Sequence, residues 1–195
     1  MKKLFAMLLT LMMSFTLTAC NGDEKSADSE KISEKNKILV AYFSCTGSTK
    51  NLAETSAEIL KADLYEIKPA VPYTTEDLNY KDETTRATVE QRNQTARPEL
   101  ADKNANIGQY DIIVIAYPIW WHTAPKIIET FLESYDFSGK KILPICTSGG
   151  SDIIESVDNL KNLPLKNVQW LEGKCFFKNP APEQIKAYFG SVNLQ

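Results

Sequence analysis

The sequence contains few cysteines and histidines, and this scarcity excludes several kinds of site. Its 195 residues include four cysteines, Cys20, Cys45, Cys146 and Cys175, and a single histidine, His122. No Cys-x-x-Cys pair occurs, so neither a zinc site nor a thioredoxin-like motif is supported. One histidine does not make a multi-histidine metal site, and the absence of Gly-x-Ser-x-Gly leaves a hydrolase without support. We therefore predict no catalytic side chain and no metal ligand.

The common nucleotide-binding motifs are also missing. No Gly-x-x-x-x-Gly-Lys-Ser/Thr loop occurs, and no Gly-x-Gly-x-x-Gly dinucleotide fingerprint is present. With 22 basic and 25 acidic residues the formal net charge is -3, and no basic patch stands out. Nucleic acid is therefore not an expected partner.

The chain begins with a segment typical of exported proteins. Two lysines precede an apolar run from Leu4 to Leu17, which is short for a membrane-spanning anchor. The run ends in Leu17-Thr18-Ala19-Cys20, which resembles a bacterial lipobox. That resemblance implies a signal peptide over residues 1–20, lipidation of Cys20, and attachment to the outer face of a bacterial membrane. The alternative is an ordinary signal peptide that contains a cysteine by chance.

Two further segments follow the predicted signal peptide. Residues 21–36 are polar and predict a flexible tether, with a surface helix as the alternative. Residues 37–195 are numerous enough to form one domain with a full core. If Cys20 carries lipid, three cysteines remain, so a disulfide-rich scaffold is not expected.

A strand, a polar turn and a helix open this domain. The apolar run from Ile38 to Phe43 is typical of a strand buried on both faces. Apolar residues at helical spacing between Leu52 and Leu60 indicate a helix. The hydroxyl-rich turn between them places the free N–H groups of the first helical turn at one point, which favours an anion such as phosphate. The alternative is that the hydroxyls only cap the helix.

Strands and helices then alternate along the chain. Further strands are predicted at 63–68, 111–116, 140–146 and 168–171, the last with an alternative end at Phe177, and helices at 84–93, after Pro125, at 153–163 and at 182–192. The alternation predicts an α/β fold, a parallel sheet with helices on both faces. The polar passage 72–108 interrupts the pattern, and we expect it to be a functional loop or a cover.

Three unusual loops follow predicted strands, at 44–49, 118–123 and 147–151. Ligands of such sheets bind at the carboxyl ends of the strands. The first loop offers hydroxyls, and the second offers Trp120 and Trp121, which can stack on a flat ligand or simply be buried. The third has two glycines that allow a ligand close to the backbone. Together these features describe a flavin mononucleotide site.

These motifs resemble the flavodoxin family. Ser44-Cys45-Thr46-Gly47-Ser48-Thr49 is similar to its phosphate loop, Ser/Thr-x-Thr-Gly-x-Thr, and the stretches 117–125 and 146–151 resemble a bacterial branch of it. The resemblance implies a doubly wound five-stranded sheet of order 2-1-3-4-5 and non-covalent FMN. It also implies electron transfer with a redox partner protein or a small-molecule acceptor. By this likeness the phosphate is held by Ser44, Thr46, Gly47, Ser48 and Thr49, and the isoalloxazine is lined by Pro118, Ile119, Trp120, Trp121, Thr147, Ser148, Gly149 and Gly150.

Several alternatives remain at this stage. One alternative to an electron carrier is an FMN-dependent NAD(P)H or quinone-type reductase. Another is a binding lipoprotein that has lost the flavin. Cys45 is either redox-active or, as we favour, a small side chain that points away. His122 either tunes flavin protonation or is a surface residue. Cys45 and Cys146 are expected about 9.6 Å apart, two strand spacings, which is too far for a disulfide.

Overall fold

The computed structural model describes residues 36–194. The predicted signal peptide, the predicted lipidation site Cys20 and almost all of the predicted tether lie outside this range. Among the described residues, no helix is both long enough and apolar enough to cross a membrane.

Strands and helices alternate as the sequence predicts. The strands are β1 (Ile38–Tyr42), β2 (Asp63–Glu66), β3 (Ile112–Pro118), β4 (Lys141–Ser148), β5 (Gln169–Trp170) and β6 (Lys174–Phe177). The α-helices are α1 (Ser48–Leu60), α2 (Arg86–Arg92), α3 (Lys126–Glu133), α4 (Ile154–Lys161) and α5 (Pro182–Ser191), and a short 3-10 helix spans Ile107–Gln109.

The strands form one parallel sheet in the order β2-β1-β3-β4-β5, and β6 also pairs with β4. Because β5 and β6 are two parts of one interrupted strand, the predicted order 2-1-3-4-5 is confirmed. The winding reverses between β1 and β3, which are neighbours in the sheet. The crevice at their carboxyl ends is where open α/β sheets bind ligands.

The central strands divide their side chains between two cores. In β3, Ile113 and Ile115 belong to a core that includes residues of α3 and α4. Ile112 and Val114 belong to a second core that includes residues of α1 and α5. Successive side chains of a strand point to opposite faces, so a strand covered on both faces is apolar throughout.

Pro144 explains the break between β5 and β6. The carbonyl of Ile142 accepts a 2.8 Å hydrogen bond from the N–H of Leu171. Because residues i and i+2 of a strand face the same neighbour, Pro144 also faces the fifth strand and has no N–H to offer it. Three residues, 171–173, here lie opposite two, 143–144, which makes a bulge.

The long polar passage after β2 is anchored at its base and on its flank. The N–H of Ala70 donates to the carbonyl of Glu99 at 2.7 Å, within a short antiparallel bridge. The guanidinium of Arg97 pairs with the Glu133 carboxylate of α3, with Nε and Oε2 2.7 Å apart. We call the segment between these anchors, residues 71–98, the excursion.

Gly173 provides a test of the bulge. A Cβ at this position would lie 2.6 Å from the Pro144 carbonyl oxygen, so Gly173→Ala is expected to lower the free energy of unfolding by about 1–3 kcal/mol. Gly190→Ala in α5 is the control, since its Cβ would meet nothing within 4 Å. The control should be neutral or more stable by up to about 1 kcal/mol, because alanine favours helix. Equal stabilities of the two variants in urea unfolding would contradict this account of the break.

Candidate functional site

A cavity of about 500 Å³ opens at the carboxyl ends of β1 and β3. It is lined by Ser44, Cys45, Thr46, Thr49, Leu78, Tyr80, Ala87, Pro118, Ile119, Trp120, Trp121, His122, Ser151 and Lys178. None of these described lining residues carries a carboxylate. A second concavity, of about 600 Å³, lies between β6 and α5 but contains none of the predicted site residues.

The turn between β1 and α1 leaves the helix N-terminus without a side-chain cap. Gly47, which precedes the helix, has a φ of 91°, in the left-handed region that glycine adopts readily. The hydroxyl of Ser44 accepts a hydrogen bond from the Gly47 N–H at 3.2 Å rather than from an N–H inside the helix. The hydroxyls therefore do not cap the helix, and the N–H groups of its first turn remain available to an anion.

A buried hydroxyl pair joins the first loop to the end of β4. Thr49 Oγ1 and Thr147 Oγ1 lie 2.7 Å apart, and the two residues are only 1% and 5% exposed. A buried hydroxyl without a partner is costly, so this bond fixes the start of α1 relative to the third loop.

The second loop contains a tight turn with two strained residues. The N–H and carbonyl of Trp120 exchange 2.9 Å hydrogen bonds with those of Thr123. Between them, Trp121 and His122 have φ of 44° and 68°. Two successive positive φ values are typical of a type I′ turn, which glycine and asparagine prefer. A tryptophan and a histidine held this way are characteristic of functional loops.

The two tryptophans of this turn lie in different surroundings. Trp120 packs edge-on against Phe43 and Tyr73, with ring centroids 5.6 Å and 5.2 Å away. Trp121 lines the cavity and remains 37% exposed. Trp120 therefore supports the loop, and Trp121 offers an open aromatic surface to a flat ligand.

Helix α2 of the excursion fixes the second loop through Gln91. Its amide nitrogen donates to the carbonyls of Trp120 and Ala124 and to Thr123 Oγ1, at 3.2, 3.1 and 2.8 Å. Its amide oxygen accepts from the N–H of Lys126, at 3.1 Å. The excursion is thus both a wall of the cavity and a support of the tryptophan turn.

The third loop lies beside the cavity and contributes one lining residue, Ser151. The predicted residues Thr147 and Ser148 still belong to β4, where they pair with β6. The N–H groups of Gly150 and Ser151 donate to Ser148 Oγ at 3.0 and 2.7 Å, so the loop satisfies these donors itself. Gly149 and Gly150 are exposed.

Cys45 and His122 both face the cavity. Cys45 is a lining residue of the cavity, which argues against the interpretation that it points away. Desolvation by the surrounding protein raises the pKa of its thiol to about 12, although the residue as a whole is exposed. His122 Nδ1 lies 3.4 Å from Ser151 Oγ, which links the second loop to the third.

Sequence reasoning missed the lining residues outside the three loops. Leu78, Tyr80 and Ala87 come from the excursion, and Lys178 follows β6. No local motif marks them, because only the path of the excursion and the pairing of β6 bring them to the cavity. The described part of the chain holds no cluster of ligands suited to a metal ion.

The comparisons with known proteins agree with this geometry. A family model described as flavodoxin matches residues 37–192. A protein from Bacteroides eggerthii DSM 20697, assigned as a flavoprotein, is 41% identical, with 82% of this chain and 99% of that chain covered and a TM-score of 0.76. Another from Bacteroides uniformis ATCC 8492 is 40% identical, with 81% and 100% covered and a TM-score of 0.75. The chain belongs to the flavodoxin family.

A more distant structure shares the fold. The flavoprotein of Lactobacillus acidophilus NCFM, solved in complex with FMN, is 24% identical. It covers 74% of this chain and 94% of its own length, with a TM-score of 0.58. A comparison with curated protein sequences found no match.

The Gln91 bonds predict a stability effect at the edge of the core, because Ala124 belongs to that core. Gln91→Met keeps the side-chain length but removes all four hydrogen bonds, which should lower the free energy of unfolding by about 1–3 kcal/mol. It should also make Trp121 more accessible to an aqueous fluorescence quencher, because the turn loosens. Gln94→Met, at an exposed position just after α2, is the control and should change neither quantity. If the Gln91 variant behaves like the Gln94 variant, α2 does not support the loop.

Proposed function

We propose that this protein binds FMN in the cavity and transfers electrons through it. The observation that carries the proposal is the uncapped N-terminus of α1, which lies at the cavity beneath a turn rich in hydroxyls. Unpaired helix N–H groups and a positive dipole end stabilise a phosphate. Family membership supports the same conclusion.

The chain's own residues divide the task of holding this cofactor. The hydroxyls of Ser44, Thr46, Ser48 and Thr49 and the N–H groups of the first helical turn would hold the phosphate. These groups are neutral, so the phosphate keeps its charge and is held by directed hydrogen bonds together with the helix dipole. Trp121 would offer its exposed ring to the isoalloxazine, a contact worth about 0.5–1.5 kcal/mol beyond the buried area.

The redox chemistry itself belongs to the cofactor, since a bound flavin supplies reversible electron transfer at its ring. The protein contributes binding, orientation and access. Tyr80 and Trp121, 71% and 37% exposed, lie at the cavity and leave apolar surface for a redox partner protein or a small-molecule acceptor.

We also propose that lipid on Cys20 holds the domain at the outer face of a bacterial membrane. The support is the sequence Leu17-Thr18-Ala19-Cys20 after a short apolar run. The flavin domain would then act outside the cytoplasm, where electrons come from a membrane-bound or exported donor.

The phosphate site is tested by a charge placed at Gly47. Gly47→Asp sets a carboxylate at the mouth of the phosphate loop, whereas Gly47→Asn has the same shape and no charge. Both residues adopt positive φ more readily than other side chains, and a Cβ here meets no protein atom within 4 Å. We expect the Asp variant to bind FMN on the order of 10-fold more weakly than the Asn variant, a loss of about 1.4 kcal/mol. Titration of each apoprotein with FMN, followed by flavin fluorescence, measures the ratio; equal affinities would place the phosphate elsewhere.

The anchor is tested by Cys20→Ser in the full-length chain. Without the thiol no lipid can be attached, so the protein should move from the membrane fraction to the soluble fraction or remain an unprocessed precursor. Cys45→Ser is the matched control and should stay with the membrane. Normal processing of the Cys20 variant with full retention in the membrane fraction would rule out the lipid anchor.

A further inference from the structure

Two cysteines that are far apart in the sequence face each other across β4 and β6. Cys146 and Cys175 are direct Cα partners in this parallel pairing. Partners on neighbouring strands lie about 4.7–4.9 Å apart. That separation falls within the range of roughly 4.4–6.8 Å between the Cα atoms of a disulfide.

The side chains of this pair point to the same face of the sheet and pack in the same core. In parallel strands, residues in register project to the same side, and both cysteines pack in the core that includes α3 and α4. Each thiol affects the ionisation of the other through a hydrogen bond between the two sulfurs. Its effect is to lower the pKa of Cys175 and to raise that of Cys146.

The two thiols differ in access. Cys146 is fully buried, whereas Cys175 is partly exposed. The Cys175 thiol also donates to the carbonyl of Ser151, at 3.3 Å. Cys175 is therefore the thiol that an outside reagent reaches first, and Cys146 is held behind it in position to react second.

The geometry points to Cys146 and Cys175 as a dithiol site that forms an intramolecular disulfide by exchange with a disulfide-containing oxidant. The thiolate of Cys175 attacks one sulfur of the oxidant, forming a mixed disulfide and releasing the oxidant's other sulfur as a thiolate. The thiol of Cys146 then loses its proton and attacks the Cys175 sulfur, which releases the second thiolate. The two cysteines lose two electrons and two protons in total, and the oxidant is reduced to two thiols.

This site does not depend on the flavin, but it lies next to the flavin loop. Formation of the disulfide removes the S–H of Cys175 and therefore its bond to Ser151, which lines the cavity. The remaining cysteine of the described chain, Cys45, lies on the cavity wall and belongs to neither strand of the pair.

Peptide mapping of the full-length protein tests the proposal. The folded protein is incubated with excess oxidised glutathione, quenched in acid, alkylated and digested with trypsin. Cys146 then lies in peptide 142–161 and Cys175 in peptide 175–178, so their linkage is distinct from any linkage to Cys45 in peptide 38–50. We expect the 142–161 and 175–178 peptides to be joined, with loss of both thiols and no covalent dimer. Recovery of Cys146 as a free thiol, with glutathione bound only to Cys175 or Cys45, would overturn the proposal.

Single variants test the order of the two steps. In Cys146→Ala the second step is blocked, so the mixed disulfide of glutathione with Cys175 should accumulate. In Cys175→Ala the buried Cys146 should stay reduced. Circular dichroism of each variant verifies that it is folded, and the mapping of the unmodified sequence stands even if a variant is not. Glutathione on Cys146 in the folded Cys175 variant would contradict the assigned order.

Discussion

The site depends on one constraint, the position of an uncapped helix N-terminus at the carboxyl edge of a parallel sheet. Burial of β1 on both faces fixes the strand, and the left-handed conformation of Gly47 turns the chain directly into α1. The hydroxyl pair of Thr49 and Thr147 then locks the helix to the end of β4. Since no side chain caps the helix, the fold keeps a group of N–H donors that only an outside anion or water can satisfy.

The excursion supplies part of the cavity wall and supports the second loop. A turn with Trp121 and His122 at positive φ is not stable by itself, because both side chains disfavour that conformation. The carbonyl bonds of Gln91 hold the turn from outside, and the Arg97–Glu133 pair holds the excursion to α3. A segment with little core of its own is thus fixed well enough to shape one side of the cavity.

Features of the fold and site that depend on neighbouring residues were predictable from the sequence, whereas contacts between residues far apart in the sequence were not. Strands, helices, their order and the three loops were predicted from local patterns and from the family resemblance, because burial of a strand such as Ile38–Tyr42 leaves a continuous apolar run. The support from Gln91 was not predictable, since its partners lie about thirty residues away and carry no motif. The pairing of Cys146 with Cys175 depends on the bulge opposite Pro144, which shifts the register by one residue and has no local signature.

Binding of the FMN phosphate by the first loop and the start of α1 is the interaction on which the proposed function depends. Its most direct test is the affinity of the apoprotein for FMN relative to riboflavin, which has the same ring system and lacks the phosphate. Charge-assisted hydrogen bonds contribute about 1.5–3 kcal/mol each, so even one or two of them predict an FMN affinity on the order of 100-fold higher. Equal affinity for the two flavins, measured by fluorescence titration under identical conditions, would contradict the account.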